Sequence, residues 1–207
     1  MATSPTEDIF APILRTERLT LTLFNMNDPD DNEFVVKMFN AEVAGAGPTD
    51  GNWTVADVRR LSYSVMLKPS DVGGRASKGP AVYIGHIGDS TNSPFGVFNL
   101  CRRSPNVPVD LGFMILPEHR RKGYGTEAAA RILQYATEEL GVKEISLITS
   151  ETNIPARKLA ERINMIDGGW VSSDGHKSIA YILPGMQRLE GEHTTFWGDG
   201  KEPETST

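Results

Sequence analysis

Cysteine is all but absent from this chain, with Cys101 standing alone among 207 residues. One thiol cannot close an internal disulfide, so a reducing compartment is expected and the location read as cytoplasmic. Histidine is scarce as well, with four scattered along the chain at no zinc-ligand spacing, so no metal is expected. No apolar run approaches the ~18 residues of a membrane span. The opening MATSPTEDIFAP lacks the basic flank and apolar stretch of a secretory signal. No membrane partner is therefore expected. Positive charge is also in deficit, the net charge being −6, and broad nucleic-acid binding needs a basic face to displace counterions. Internal repeats are missing.

What remains is the composition of an ordinary globule, long enough for one substantial core and cramped for two. Residues 1–12 are polar and proline-punctuated and read as a flexible arm. One domain is expected over 13–190, with a polar tail over 191–207 that carries Phe196-Trp197. Leucines at 19, 21 and 23 alternate with polar residues as in a half-buried strand. Asp28-Pro29 supplies an N-cap and a first-turn proline for a helix with Phe34, Val35, Met38 and Phe39 on its apolar stripe. Residues 44–52 and 68–80 read as glycine-rich loops. Between them a helix starts at Thr54, with Asp57 completing a variant capping box. From 81 the period becomes two, giving strands over 81–87, 94–101 and 107–116. A helix follows over 126–140, stopped by Gly141. A buried strand over 144–149, a helix over 154–163 and a closing hairpin over 165–183 complete the order.

The chain's centre is Val109–Leu140, where an apolar strand enters the turn Arg120-Arg121-Lys122-Gly123-Tyr124-Gly125 and leaves as an amphipathic helix. The first turn of a helix leaves backbone N–H groups unpartnered, its dipole favours anions, and glycine lets the backbone come close. Two common nucleotide loops are excluded. The Walker pattern G-x-x-x-x-G-K-[ST] is missing, and Gly123-Tyr124-Gly125 lacks the third glycine of the dinucleotide fingerprint. On the turn alone, a tight strand-to-helix connection with solvated charges is an equal alternative.

The context resembles the GNAT superfamily of acetyl-CoA-dependent N-acetyltransferases, in the branch of the ribosomal-protein N-terminal acetyltransferases. Residues 120–125 satisfy that family's Q/R-x-x-G-x-G/A signature, and LGFMILPEHRRKGYGTEA (111–128), RTERLTL (15–21) and Asn153-Ile154-Pro155-Ala156 match further elements. The resemblance spans roughly 14–184. It implies an α/β (α+β) fold with a mixed, largely antiparallel central sheet, a splayed parallel strand pair and flanking helices. It also implies acetyl-CoA as co-substrate. The pyrophosphate would lie on N–H groups of Arg121, Lys122, Gly123, Tyr124, Gly125 and Thr126, with Arg120 adding charge. Met114 and Ile115 would meet the pantetheine arm, and Asn153 would bond the cofactor from the far side. A homodimer is compatible with it.

Acetyl transfer from a thioester to an amine needs a neutral amine, a stabilised oxyanion and a protonated leaving thiolate. Asp110 shares one strand face with Gly112 and Met114 and is the first candidate general base, Glu151 the second. Their alternative is a structural or solvated carboxylate. Cys101, lacking an obvious His partner, reads as a packed core thiol, and His86 as a structural histidine. His119 and Glu118 read as surface groups. The family's usual Tyr and Ser positions hold Ala160 and Ala156, leaving the general acid open. The acceptor would be a primary amine of a small molecule or of a peptide or protein, a cationic one suiting the acidic balance. A non-catalytic acyl-CoA-binding module and a different acyl donor stay as alternatives.

Overall fold

The computed structural model describes residues 9–41, 53–173 and 175–193. Among the described residues, nine strands form one sheet in the order β1-β2-β3-β4-β5-β6-β8-β7-β9. They are β1 (Ile13–Arg15), β2 (Leu19–Leu23), β3 (Ala81–Ile87), β4 (Pro94–Cys101), β5 (Val109–Ile115), β6 (Ile145–Thr149), β7 (Ile166–Ser173), β8 (His176–Ile182) and β9 (Leu189–Glu192). β1 to β5 run antiparallel to their neighbours, as do β6, β8 and β7; the β5/β6 and β7/β9 pairs are parallel. The expected mixed, largely antiparallel sheet is therefore present.

Helices α1 (Pro29–Asn40) and α2 (Val55–Ser64) cover one face; α3 (Tyr124–Gln134) and α4 (Ile154–Arg162) cover the other. The two cores follow from strand alternation. Tyr83 packs with the α3/α4 core and its neighbour Ile84 with the α1/α2 core. The caps form as their residues dictate. Asp28 accepts from the Asp30 N–H at 2.9 Å, and Thr54 and Asp57 close a reciprocal box that satisfies two otherwise orphaned donors. Gly141 takes φ +73° where α3's extension ends.

Several expectations need correction. Residues 9–12 are not a loose arm: Phe10 is buried in the core, and the Ala11 N–H donates to the Tyr135 hydroxyl at 2.7 Å. That hydroxyl also donates to the Ile9 carbonyl. β1 was likewise unread, because three residues are too few to show a period. The helix expected over 126–140 begins at Tyr124, and its end over Tyr135–Glu139 widens into a π-type turn. There the Leu140 N–H reaches back five residues to the Tyr135 carbonyl. The tail expected from 191 starts inside β9, which pairs with β7 although its LEGE sequence has little strand character. The loop over 68–80 contains a short 3-10 turn, Pro69–Val72, anchored by an Asp71–Arg102 ion pair. Residues 44–52 and Phe196-Trp197 lie outside the described residues.

Candidate active site

The site grows from how β5 and β6 part. Only Val109↔Ile145 and Asp110↔Ser146 are in register, after which the two strands diverge. β5 stays paired to β4 from Asp110 to Ile115, so from Leu111 onward only its β6-facing edge is left open. Gly96 permits this packing at the far end, since a Cβ there would sit 2.6 Å from the Met114 carbonyl oxygen.

Asp110 stands at the fork. Its side chain is 1% exposed, and Oδ1 accepts from the Ile148 N–H at 2.9 Å, where the backbone ladder has just stopped. Oδ2 lies 2.6 Å from Arg103 Nε. The carboxylate raises the Arg103 guanidinium further above its ordinary value, keeping it charged. Both oxygens are engaged, the group is walled from solvent, and it is not among the residues lining the cleft, so this arrangement does not set it facing an amine. Glu151 is exposed on the turn between β6 and α4, also outside the cleft lining. Cys101 is buried, as expected, and desolvation pushes its thiol up to about 11. His86 is buried between Thr22 and the Asn92 carbonyl.

Beyond the fork, β5, the turn and α4 enclose a cleft of about 790 Å³. Of the expected residues, Met114, Ile115, Arg120, Arg121, Gly123, Gly125, Thr126 and Asn153 line it. Lys122 and Tyr124 do not. Tyr124 turns inward onto Phe95, with the Arg18 guanidinium over its ring.

The turn is shaped for anions. Arg121 at φ +62° and Gly123 at φ +84° both occupy the left-handed region, a conformation that gathers backbone N–H groups into anion-binding concavities. The first intrahelical bond of α3 is from the Glu127 N–H to the Gly123 carbonyl, so the N–H groups of 124–126 have no intrahelical acceptor. Arg120 Nε donates to the Ile115 carbonyl at 2.9 Å, fixing its charge at the end of β5. Gly125 lets Ile115 pack against the start of α3: a Cβ there would lie 2.3 Å from Ile115 Cδ1 and displace that side chain.

A second set of contacts braces the turn from β2's approach. Glu127 accepts from the Thr16 hydroxyl (2.5 Å), from the Arg18 N–H (3.0 Å) and from Arg18 Nε (2.7 Å), while Arg18 Nη1 donates to the Lys122 carbonyl (3.3 Å). Partial burial pushes the Glu127 carboxyl up, but the bonds from Thr16 and Arg18 outweigh it and hold it below its ordinary range. Asn153 caps α4 by accepting from the Ala156 N–H at 3.3 Å, which leaves its amide N–H groups without a partner in the cap. Sequence reading missed Lys158, Leu159 and Arg162 on the α4 wall. The i, i+4 relation of the two cations, counted on from Asn153, was the available signal.

Among the described residues, no carboxylate lines the cleft, no three His, Cys, Asp or Glu side chains are placed to hold a metal, and no helix is long and apolar enough to cross a membrane.

Comparison with known proteins agrees with this architecture. The model of the acetyltransferase (GNAT) domain matches residues 18–166. An uncharacterized N-acetyltransferase of Bacillus subtilis (strain 168), YnaD, is 32% identical over 56 residues, 27% of this chain and 33% of that protein. The match thus spans a third of that relative's length. A GNAT-family acetyltransferase from Bacillus anthracis superposes with TM-score 0.60 at 19% identity, over 83% of this chain and 97% of the other. A spermidine N-acetyltransferase SpeG chimera from Vibrio cholerae and hSSAT gives 0.59 at 17% identity, over 81% and 95%. A Vibrio cholerae protein proposed to be a ribosomal-protein-serine acetyltransferase gives 0.54 at 19%, over 87% and 99%. At these identities the solved structures establish the fold alone.

Proposed function

Because the chain belongs to the GNAT acetyltransferase family, we propose that it moves an acetyl group from acetyl-CoA to a primary amine by direct attack in a ternary complex. The observation that carries this reading is the opened β5/β6 fork leading to an α3 N-terminus wrapped in left-handed backbone. The fork offers a slot with amide edges for the pantetheine arm at Met114 and Ile115. The turn over 121–126 offers N–H groups and helix dipole for the pyrophosphate. Asn153 offers amide donors from α4. In the transfer the amine lone pair attacks the thioester carbon, the C–S bond breaks, and the amine's surplus proton leaves as the thiolate is protonated. With Asp110 buried and paired, solvent carries both protons. The acceptor is a small-molecule, peptide or protein amine. Polyamines and N-terminal peptides head the panel because the fold neighbours include a spermidine N-acetyltransferase and a protein proposed to acetylate ribosomal-protein serine. The acidic balance of −6 favours a cationic acceptor.

Acetyl-CoA is expected to raise the melting temperature of the wild type, and a folded Gly123→Trp variant to show no such rise. Absence of acyl-CoA binding by calorimetry overturns the proposal. A second reading, a donor-binding module without turnover, has its own observation. Ala156 and Ala160 are buried at 5% and 0% exposure, so those positions supply no hydroxyl. Binding without thiol release across polyamines, amino sugars, amino acids and N-terminal peptides would favour it; thiol release with any of them rejects it.

A further inference from the structure

Four cationic side chains line the cleft, and the turn accounts for only Arg120 and Arg121. The others, Lys158 and Arg162, stand on α4 together with Pro155 and Leu159, at the i, i+3, i+4, i+7 spacing of one helical face. Leu159 fixes where that face lies. Its Cδ1 would be 3.4 Å from a Cβ on Gly125, so the apolar member packs beside the first turn of α3 while a cation flanks it on either side.

Both cations are exposed, and among the described residues neither makes an ion pair or hydrogen bond. Their neighbours differ. Arg157, off that face, is tied to the Tyr181 hydroxyl (3.3 Å) and the Glu151 carbonyl (3.1 Å). Arg131 is paired with Glu139 and Arg188 with Asp167. Arg162, in the last turn of α4, gains from the helix dipole, but Lys158 in mid-helix does not. Like charges four apart on a helix repel, and an anion between them reverses that sign. In a chain with a net charge of −6, two unpaired cations held on a cleft wall that carries no carboxylate call for an anionic ligand group.

We propose that Lys158 and Arg162 form a second anion site, separate from the turn, that takes the phosphomonoester on the ribose of the donor's nucleotide. This rests on the acyl-CoA reading. The diphosphate of CoA suits the backbone N–H groups of the turn, whereas a terminal phosphate, doubly charged and free to rotate, suits two flexible side chains. The pair thereby distinguishes CoA from its 3′-dephospho form.

The test is calorimetric titration of the full chain with CoA and with 3′-dephospho-CoA, for the wild type, the Lys158→Ala/Arg162→Ala double variant and an Arg157→Ala control. The wild type and the control should bind CoA about tenfold more tightly than the dephospho form, a difference of about 1.4 kcal/mol. The double variant should bind both alike, at the wild type's dephospho-CoA affinity, with its unliganded melting temperature retained. Equal wild-type affinities for the two ligands, or a double variant that weakens both in the same proportion, overturns the second site alone. Failure of both ligands to bind the wild type overturns the acyl-CoA reading and this site with it.

Discussion

Two buried side chains show how burial and pairing shape single residues here. Cys101 ends β4, buried, with its thiol pushed up to about 11 by desolvation. At pH 8 that leaves a thiolate fraction of about one in a thousand, too small and too enclosed to react. Iodoacetamide is therefore expected to label the chain only after denaturant is added; labelling of the folded protein would place the thiol at the surface. The sign of its linkage follows. A thiol whose folded value is raised above the ordinary 9.0 contributes stability that is full below pH 9 and is lost as pH rises towards 11. Urea midpoints should fall over that window, and less so in Cys101→Ala. Asp110 is the companion case. Removing it strands the Ile148 N–H and leaves Arg103, itself 38% exposed, to water, so Asp110→Ala should cost about 2 kcal/mol in urea unfolding. Asp110→Asn keeps an oxygen for Ile148, and the acid limb of its pH–rate profile, followed by thiol release, should stay where the wild type's lies. A displaced limb would restore Asp110 as the base.

At the level of elements, the turn between β5 and α3 works because something outside it holds it. Glu127, one turn into α3, gathers Thr16 and the main and side chains of Arg18, and Arg18 in turn holds the Lys122 carbonyl. The approach to β2 thus sets the backbone on which the pyrophosphate is proposed to rest. Glu127→Gln keeps the shape but weakens charge-assisted bonds, and is expected to lower CoA affinity about threefold to tenfold by calorimetry. An unchanged affinity would show that the turn stands unaided. The carboxyl's ordinary value is 4.5 and the fold holds it lower, so the bracing is complete above 4.5 and lost as pH falls through the depressed folded value. CoA affinity should weaken on that acid side and be insensitive to this group at neutral pH. Much of this was legible. The signature residues, the caps at Asp28 and Thr54, and strands 81–87 and 94–101 fell where local chemistry put them. The Glu127 tie was not, because its partners are more than 100 residues apart, and no local period reports such a contact.

For the whole molecule, charge is distributed unevenly: a chain of net −6 keeps four cations around one cleft. Such a field concentrates an anionic donor at the mouth against the overall repulsion. The association rate of CoA is expected to fall as salt rises through physiological ionic strength, where the Debye length is about 8 Å. Stopped-flow rates independent of salt would mean that the cations act only at contact.

The sequence by itself determined the family resemblance, the order of most elements and the chemistry of the turn, since these rest on neighbours within a few residues. Tertiary structure alone decided three things. It placed Ile9–Pro12 and β9 in the fold, through contacts with Tyr135 and β7. It gave Asp110 its partners, Arg103 and the Ile148 N–H, because period two gives a residue's face but not its partners. It also brought Lys158 and Arg162 to the same cleft as Arg120 and Arg121, since their i, i+4 spacing puts them on one helix face but does not say what that face meets.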